Sequence, residues 1–510
     1  MKSFARRHLA WAGCLLLVIL LSGCVPAQPP EIATPSAPVP GATQPAATHT
    51  PAPSPTQTVT APPRAAATAA PAAGGALSRS GPWLVYQAEN RLWAVNADGS
   101  GRTELAGAPL DLSRELAASP PGAPPRLAMV VSHAGFPQHD DVSLRIVRLP
   151  DGAVEAEIDL LAYAGPAGDE EAVLQSRAAA AMNIGMSWSP SGRYLAFAGV
   201  IDGPSADVYR YDSQTGEIRR MSAEPQQVGA LAWSPNEEWI VYQVVENFGT
   251  GAGWSALGVW AAPAGGGAAR ELVAGRQQVY AGWTSEGELV TAPWEFGYDE
   301  TGMPGSDVQV VDPAGGAART LLPAEDVARG AFVAMELLPG GDESLAVALA
   351  YDGGDDRLVS VPAGGGPART LLTGQAQGLP ALAWSEELDR LLAAWDEAVL
   401  QVSPEGEVEV SYPEGALPVV SPDGEWLAFL GAEEAEGAGV RLYRPNGELA
   451  QTLSEQPATS LLWQPQGRLV FYVAGERLYA QRIPAGQIWL VQENMPAYDF
   501  QHSMVWVGVQ

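Results

Sequence analysis

Past residue 24 the sequence contains no cysteine; its two cysteines are Cys14 and Cys24. The body of the chain therefore holds no disulfide, no cysteine-built zinc site and no thiol nucleophile. Histidine is nearly as scarce. Only His133, His139 and His502 follow residue 78, too few and too dispersed for a histidine-built metal site. Basic residues are also short: 28 Lys and Arg stand against 58 Asp and Glu, a formal net charge of −30. Without a basic stripe a chain does not neutralise phosphates, which excludes a nucleic-acid role. Strong acidity favours solubility and cationic partners instead. Long apolar runs are missing too, except at residues 9–21, and that run is too short for a comfortable membrane span.

The apolar run has a recognisable setting. Lys2, Arg6 and Arg7 precede it, and it ends in Leu21-Ser22-Gly23-Cys24. This order resembles the signal peptide and lipobox of bacterial lipoproteins. The resemblance implies that residues 1–23 are a signal peptide and that Cys24 carries the lipid. It also implies that the protein sits outside the cytoplasmic membrane, anchored to the cell envelope. Residues 24–78 follow as a Pro/Ala/Thr-rich stretch with almost no charge. Such a stretch buries too little surface to offset chain entropy, so a disordered linker is expected. Its proline density makes it stiff; at ~3 Å per residue, roughly 50 residues reach ~150 Å.

From residue 79 to 510 the sequence repeats itself. SWSPSGRYLAFA at 187–198 returns as AWSPNEEWIVYQ at 232–243 and, without its Trp, as VSPDGEWLAFLG at 420–431. Weaker copies begin at Leu116, Gly282, Ala383 and Trp463. Each reads as a short apolar strand, a polar turn and a second apolar strand, with two more strands after it. A four-strand unit recurring every few tens of residues predicts an all-β propeller. Nine units are countable, at 83–105, 115–161, 186–221, 231–273, 279–322, 332–372, 382–412, 417–453 and 460–491. Nine exceeds the usual blade number; the second and seventh units are the weakest, so eight or nine blades are expected. The unit at 83–105 lacks a first strand, whereas 503–510 supplies one strand over. The C-terminal strand is thus expected to complete the first blade and close the ring.

Trp188, Trp233, Trp283, Trp384, Trp463 and Trp506 occupy matching places. A large flat side chain there is expected to pack between neighbouring blades beside the axis. Ser-Pro-Ser-Gly at 189–192 and Ser-Pro-Asp-Gly at 421–424 read as tight turns, with Pro setting φ and Gly allowing its positive value. These Trp-Ser-Pro-x-Gly units followed by Tyr-Leu-Ala-Phe resemble the TolB-like, WD-like propeller repeat. The resemblance covers nearly everything from Trp83 onward and implies fold far more than function. It extends to scaffolds, lipoproteins and the propeller portions of prolyl-oligopeptidase-type enzymes. No Gly-x-Ser-x-Gly nucleophile elbow follows the repeats here.

In a propeller, the loops joining second to third strands and the links between blades share one face. The long insertions of this sequence fall in those connections, while the other face has short Pro/Gly turns. Binding residues concentrate on loops carried by a rigid frame, so the elaborated face is the candidate site. Phe248, Trp254, Trp294, Phe296 and Tyr298 supply aromatic surface suited to a peptide, glycan or protein partner. Asp140 and Asp141, with the nearby histidines, and Asp352, Asp355 and Asp356 are candidate metal ligands, with Ca²⁺ as the ion an all-oxygen set would take. Neither group matches a defined Ca²⁺ loop, and solvated turns explain them as well. No catalytic residue is assigned. The preferred reading is a lipid-anchored extracellular scaffold that binds a protein or a cell-envelope component. One alternative is an enzyme with its site at the channel mouth, glycan- or lactone-cleaving or quinone-dependent. Another is a sensory ectodomain working through a membrane partner.

Overall fold

The structure is a computed structural model. It describes residues 76–509 apart from 107–111, 133–141, 164–184, 225, 248–253, 275–277, 294–306, 316–317, 324–332, 340–342, 350–355, 375–380, 396–397, 415, 432–438, 485 and 497–503. Every regular element among the described residues is a β-strand, and the strands form nine four-stranded antiparallel sheets. Eight of these blades are simple meanders, at 112–159, 186–220, 227–274, 278–322, 333–374, 382–412, 419–454 and 458–493. The first blade is composite. Trp83–Ala88, Arg91–Asn96 and Thr103–Ala106 are its outer three strands, and Met504–Val507 pairs antiparallel with Trp83–Ala88 as its innermost. The two weak sequence units, the second and the seventh, are both complete blades.

The strands alternate sides because consecutive side chains point to opposite faces of a sheet. In the third blade, Leu195 and Phe197 face the second blade, while Ala196 and Ala198 face the fourth. Every blade is therefore apolar on both faces and must be covered twice. Nine separate apolar clusters result, one at each seam between neighbouring blades. An open stack of nine sheets would have eight seams. The ninth, between the last blade and the first, contains Met504, Phe471 and Trp489 and closes the ring. The molecule is a nine-bladed β-propeller.

First strands of successive blades touch along the axis, at Met504–Val507 against Leu112–Ala118 and onward to Met186–Trp188 and Gln227–Trp233. Fourth strands form the rim and are the wettest. The exposed large apolar residues Val154, Ile218, Val408 and Leu449 all lie on them. The repeated tryptophans bridge seams, as expected. Trp188 Nε1 donates to the carbonyl of Ala117, Trp233 Nε1 to that of Ser187 and Trp463 Nε1 to that of Val419, at 3.0, 2.9 and 2.8 Å. Each acceptor lies on the first strand of the preceding blade.

Candidate functional face and channel

The connections sort into two faces by topology. One carries the turns between first and second strands and between third and fourth. The first–second turns repeat a single device. The backbone N–H of Ser189 donates to the carbonyl of Tyr194, and the Ser189 hydroxyl accepts the N–H of Tyr194. Ser234 does the same with Trp239, and Ser421 with Trp426. Gly192 and Gly424 sit at φ of 69° and 68°, where a side chain is strained. Asp423 belongs to this machinery: its carboxylate accepts the Ser421 hydroxyl at 2.6 Å and pairs with Arg468 at 3.0 Å. Asp212 likewise accepts the N–H of Gln214 and pairs with Arg193, so the hairpin at 211–217 is a closed turn.

Both ends of the described chain lie on this tight-turn face. The N–H of Ser78 donates to Asn96 Oδ1 at 2.8 Å, beside the third-to-fourth turn of the first blade. The carbonyl of Val509 accepts the N–H of Gly122, in the first-to-second turn of the second blade.

The opposite face carries the second-to-third loops and the links between blades. Its described portions contain buried acids with full sets of partners. Asp207 has no exposed surface. It accepts the hydroxyls of Ser222 at 2.9 Å and Ser205 at 3.3 Å, and pairs with Arg220 at 2.5 Å. Burial pushes its carboxyl up to about 6, against the pull of those partners. Arg220 also reaches Asp202, whose carboxylate accepts the Tyr209 hydroxyl. Glu224, in the link to the fourth blade, accepts the Tyr242 hydroxyl at 3.1 Å. Glu414, in the link from the seventh to the eighth, is held by Arg441 at 2.6 Å and the Tyr443 hydroxyl at 2.8 Å. Burial and that carboxylate push the Tyr443 phenol up to about 12. These groups fix the roots of loops; their polar atoms are spent on one another.

The residues singled out from sequence fall mostly elsewhere. Phe248, Trp294, Phe296, Tyr298, Asp140, Asp141, Asp352 and Asp355 lie outside the described residues. Trp254 begins the third strand of the fourth blade, opposite Asn247, and Asp356 begins that of the sixth, opposite Gly374. Among the described residues, no three His, Cys, Asp or Glu are grouped to hold a metal ion. Residues 1–75, with Cys24, are also outside the described set. No described helix is long and apolar enough to cross a membrane.

One group was missed. Glu336 lies on Val333–Leu338, the innermost strand of the sixth blade, and its carboxylate accepts the backbone N–H of Trp384 on the innermost strand of the seventh. Burial pushes it up to about 7. The signal was available in the sequence as a single acid inside an otherwise apolar inner strand, VAMELL.

No family model matches the chain, and no curated protein matches it. Solved structures do. A eukaryotic initiation factor structure is similar over 84% of this chain and 96% of its own, at 13% identity and a TM-score of 0.50. The fold is all that this likeness conveys. Porphyromonas gingivalis dipeptidyl peptidase 4 is similar over 84% of this chain but 60% of its own length, at 12% identity and a TM-score of 0.47. TolB from Acinetobacter baumannii also matches, over 56% of this chain and 65% of its own, at 15% identity and a TM-score of 0.27. The nine-bladed ring and its repeated Ser-Pro turns at 189–190, 234–235 and 421–422 agree with the TolB-like reading of the repeats.

Proposed function

We propose that the protein is a lipid-anchored binding scaffold outside the bacterial cytoplasmic membrane. On this reading Cys24 carries the lipid, the segment 24–78 is the spacer, and the loop-bearing face of the propeller engages a protein or cell-envelope partner. The observation that carries it is the contrast between the faces. One face is closed by short, internally bonded turns and receives Ser78 and Val509, near the two ends of the described stretch. The other carries the long connections and lies on the far side of the ring from Ser78. A rigid ring with loops on one side is a frame for recognition and needs no reacting groups.

The test is site-specific photocrosslinking of the full-length protein on its host cells. Amine-directed reagents are unsuitable because Lys2 is the one lysine in the sequence. A photoreactive amino acid at Trp294 or Phe296 is expected to capture a discrete partner, and one at Ser213 on the tight-turn face is not. Equal capture from both faces, or none from the loops, would overturn the scaffold reading. Radiolabelled fatty acid is expected on the wild type and absent from Cys24→Ala, which is released into the medium.

A second reading, an enzyme working in the channel, draws on Glu336. A carboxyl that titrates near neutrality inside a cleft is a common feature of acid–base sites. Turnover of a glycan or lactone by the wild type, lost in Glu336→Gln with the fold intact, would establish it in place of the first.

A further inference from the structure

The channel wall is made by the nine innermost strands, and its described side chains are almost all apolar or small. Leu116, Ala230, Leu382, Trp384, Val419 and Leu462 are half-buried there. Glu336 is the one charged side chain among the described side chains of these strands. Its environment is one-sided: burial works against the carboxylate, the Trp384 N–H favours it, and among the described residues no cation contributes. The strands packed around it are Gln278–Trp283 before, Leu382–Ser385 after and Ser344–Leu349 behind. Their described side chains include no titratable group, and Tyr280, the one titratable residue in their sequences, lies outside the described side chains. A carboxylate in an apolar wall lacks one complement, a positive charge on an apolar carrier. A cation held beside it would be poorly screened by water and would stabilise its ionised form.

We propose that the central channel binds a molecule with an apolar body and a single ammonium or guanidinium group, with Glu336 as its counter-ion. The wall supplies burial for the carrier, and the carboxylate supplies selection for charge. A neutral molecule of the same shape gains the first without the second. Binding of the cation also releases the proton that Glu336 holds below neutrality, so affinity rises with pH as the carboxyl ionises.

The experiment is calorimetric titration of the full mature protein with n-octylamine, with n-octanol as the uncharged control, at about pH 8 and about pH 5.5. The amine stays protonated at both, whereas Glu336 does not stay ionised. The expected result is one saturable octylammonium site at the higher pH, weakened roughly ten-fold at the lower pH and at both values in Glu336→Gln. Octanol binds wild type and variant alike. The formal charge of −30 attracts any amine loosely, so the variant, not the pH arm alone, isolates the specific site. Octylammonium binding that survives Glu336→Gln, or that matches octanol, or that is absent altogether, would overturn the proposal. Glu336→Asp, which keeps the charge on a shorter arm, is expected to retain part of the affinity, and circular dichroism of each variant separates lost binding from lost fold.

Discussion

At the scale of single residues, the structure keeps a few buried polar groups and satisfies most of them. Ser222 shows how tightly. Its hydroxyl accepts the N–H of Val208 at 2.7 Å and donates to Asp207 at 2.9 Å, all three being buried. Ser222→Ala leaves a donor and an acceptor without partners, and it is expected to cost about 1–3 kcal/mol in denaturant unfolding. Glu336 behaves oppositely. Its folded value, about 7, lies above the ordinary 4.5. The native state therefore holds the proton more firmly than the unfolded chain does. Stability falls as pH rises from about 4.5 to about 7 and stays low beyond, by an amount on the order of 1–3 kcal/mol. Glu336→Gln is expected to remove that slope, stabilising the protein near pH 8 and leaving it unchanged near pH 4.5. Unfolding curves of both proteins at the two pH values check it.

At the scale of elements, the seams differ in how well they are filled. Tyr86, Phe197, Tyr242, Phe429 and Tyr472 occupy one repeat position, the third residue of the paired segment of a second strand, counted from its partner at the tryptophan place. Thr291 holds that position in the fifth blade, fully buried and with its hydroxyl unpartnered. Across the seam, Gln243 Nε2 is also unpartnered, and Trp283 Nε1 lacks the carbonyl that Trp188, Trp233 and Trp463 reach. Thr291→Val is thus expected to stabilise by about 1 kcal/mol, because it deletes an unmet hydroxyl at nearly constant volume. Trp233→Phe, at a bonded seam, is expected to destabilise by about 1–2 kcal/mol through the lost bond to Ser187 and lost packing. Thermal unfolding ranks the two variants in opposite directions from wild type. This is also the scale at which the sequence was most readable. Trp-Ser-Pro-x-Gly carries its own strand end, turn and strand start, so each copy announces a blade. The second and seventh units were weak because they keep the apolar alternation and lose part of the tag: Ala118 stands where Trp188 stands, and the seventh keeps Trp384 but has Glu386 and Leu388 where the third has Pro190 and Gly192. The candidate site was less readable. Loops carry no period, and the meaning of Glu336 comes from Trp384 on another blade, 48 positions along the sequence.

At the scale of the whole molecule, closure decides whether nine blades behave as one body. Met504–Val507 is a short strand, yet it belongs to two seams at once: Met504 and Trp506 pack against the ninth blade, Val505 and Val507 toward the second. It also covers the inner edge of Trp83–Ala88, which would otherwise be an open edge on a strand of mostly buried apolar residues. Removing residues 504–510 takes a wall from each of two apolar clusters and bares that edge in the same cut. Repeat arrays that lose a terminal partner unfold in stages because each unit leans only on its neighbours. The truncated protein is therefore expected to lose the single cooperative transition, to unfold first at the first and ninth blades, and to self-associate through the bared edge. Hydrogen exchange is the deciding measurement. Early exchange confined to 83–106 and 458–493, with protection retained around the fourth to sixth blades, is the signature of a ring held by its last strand. Uniform loss of protection would mean that the nine blades fold as one unit whatever the state of the closing strand.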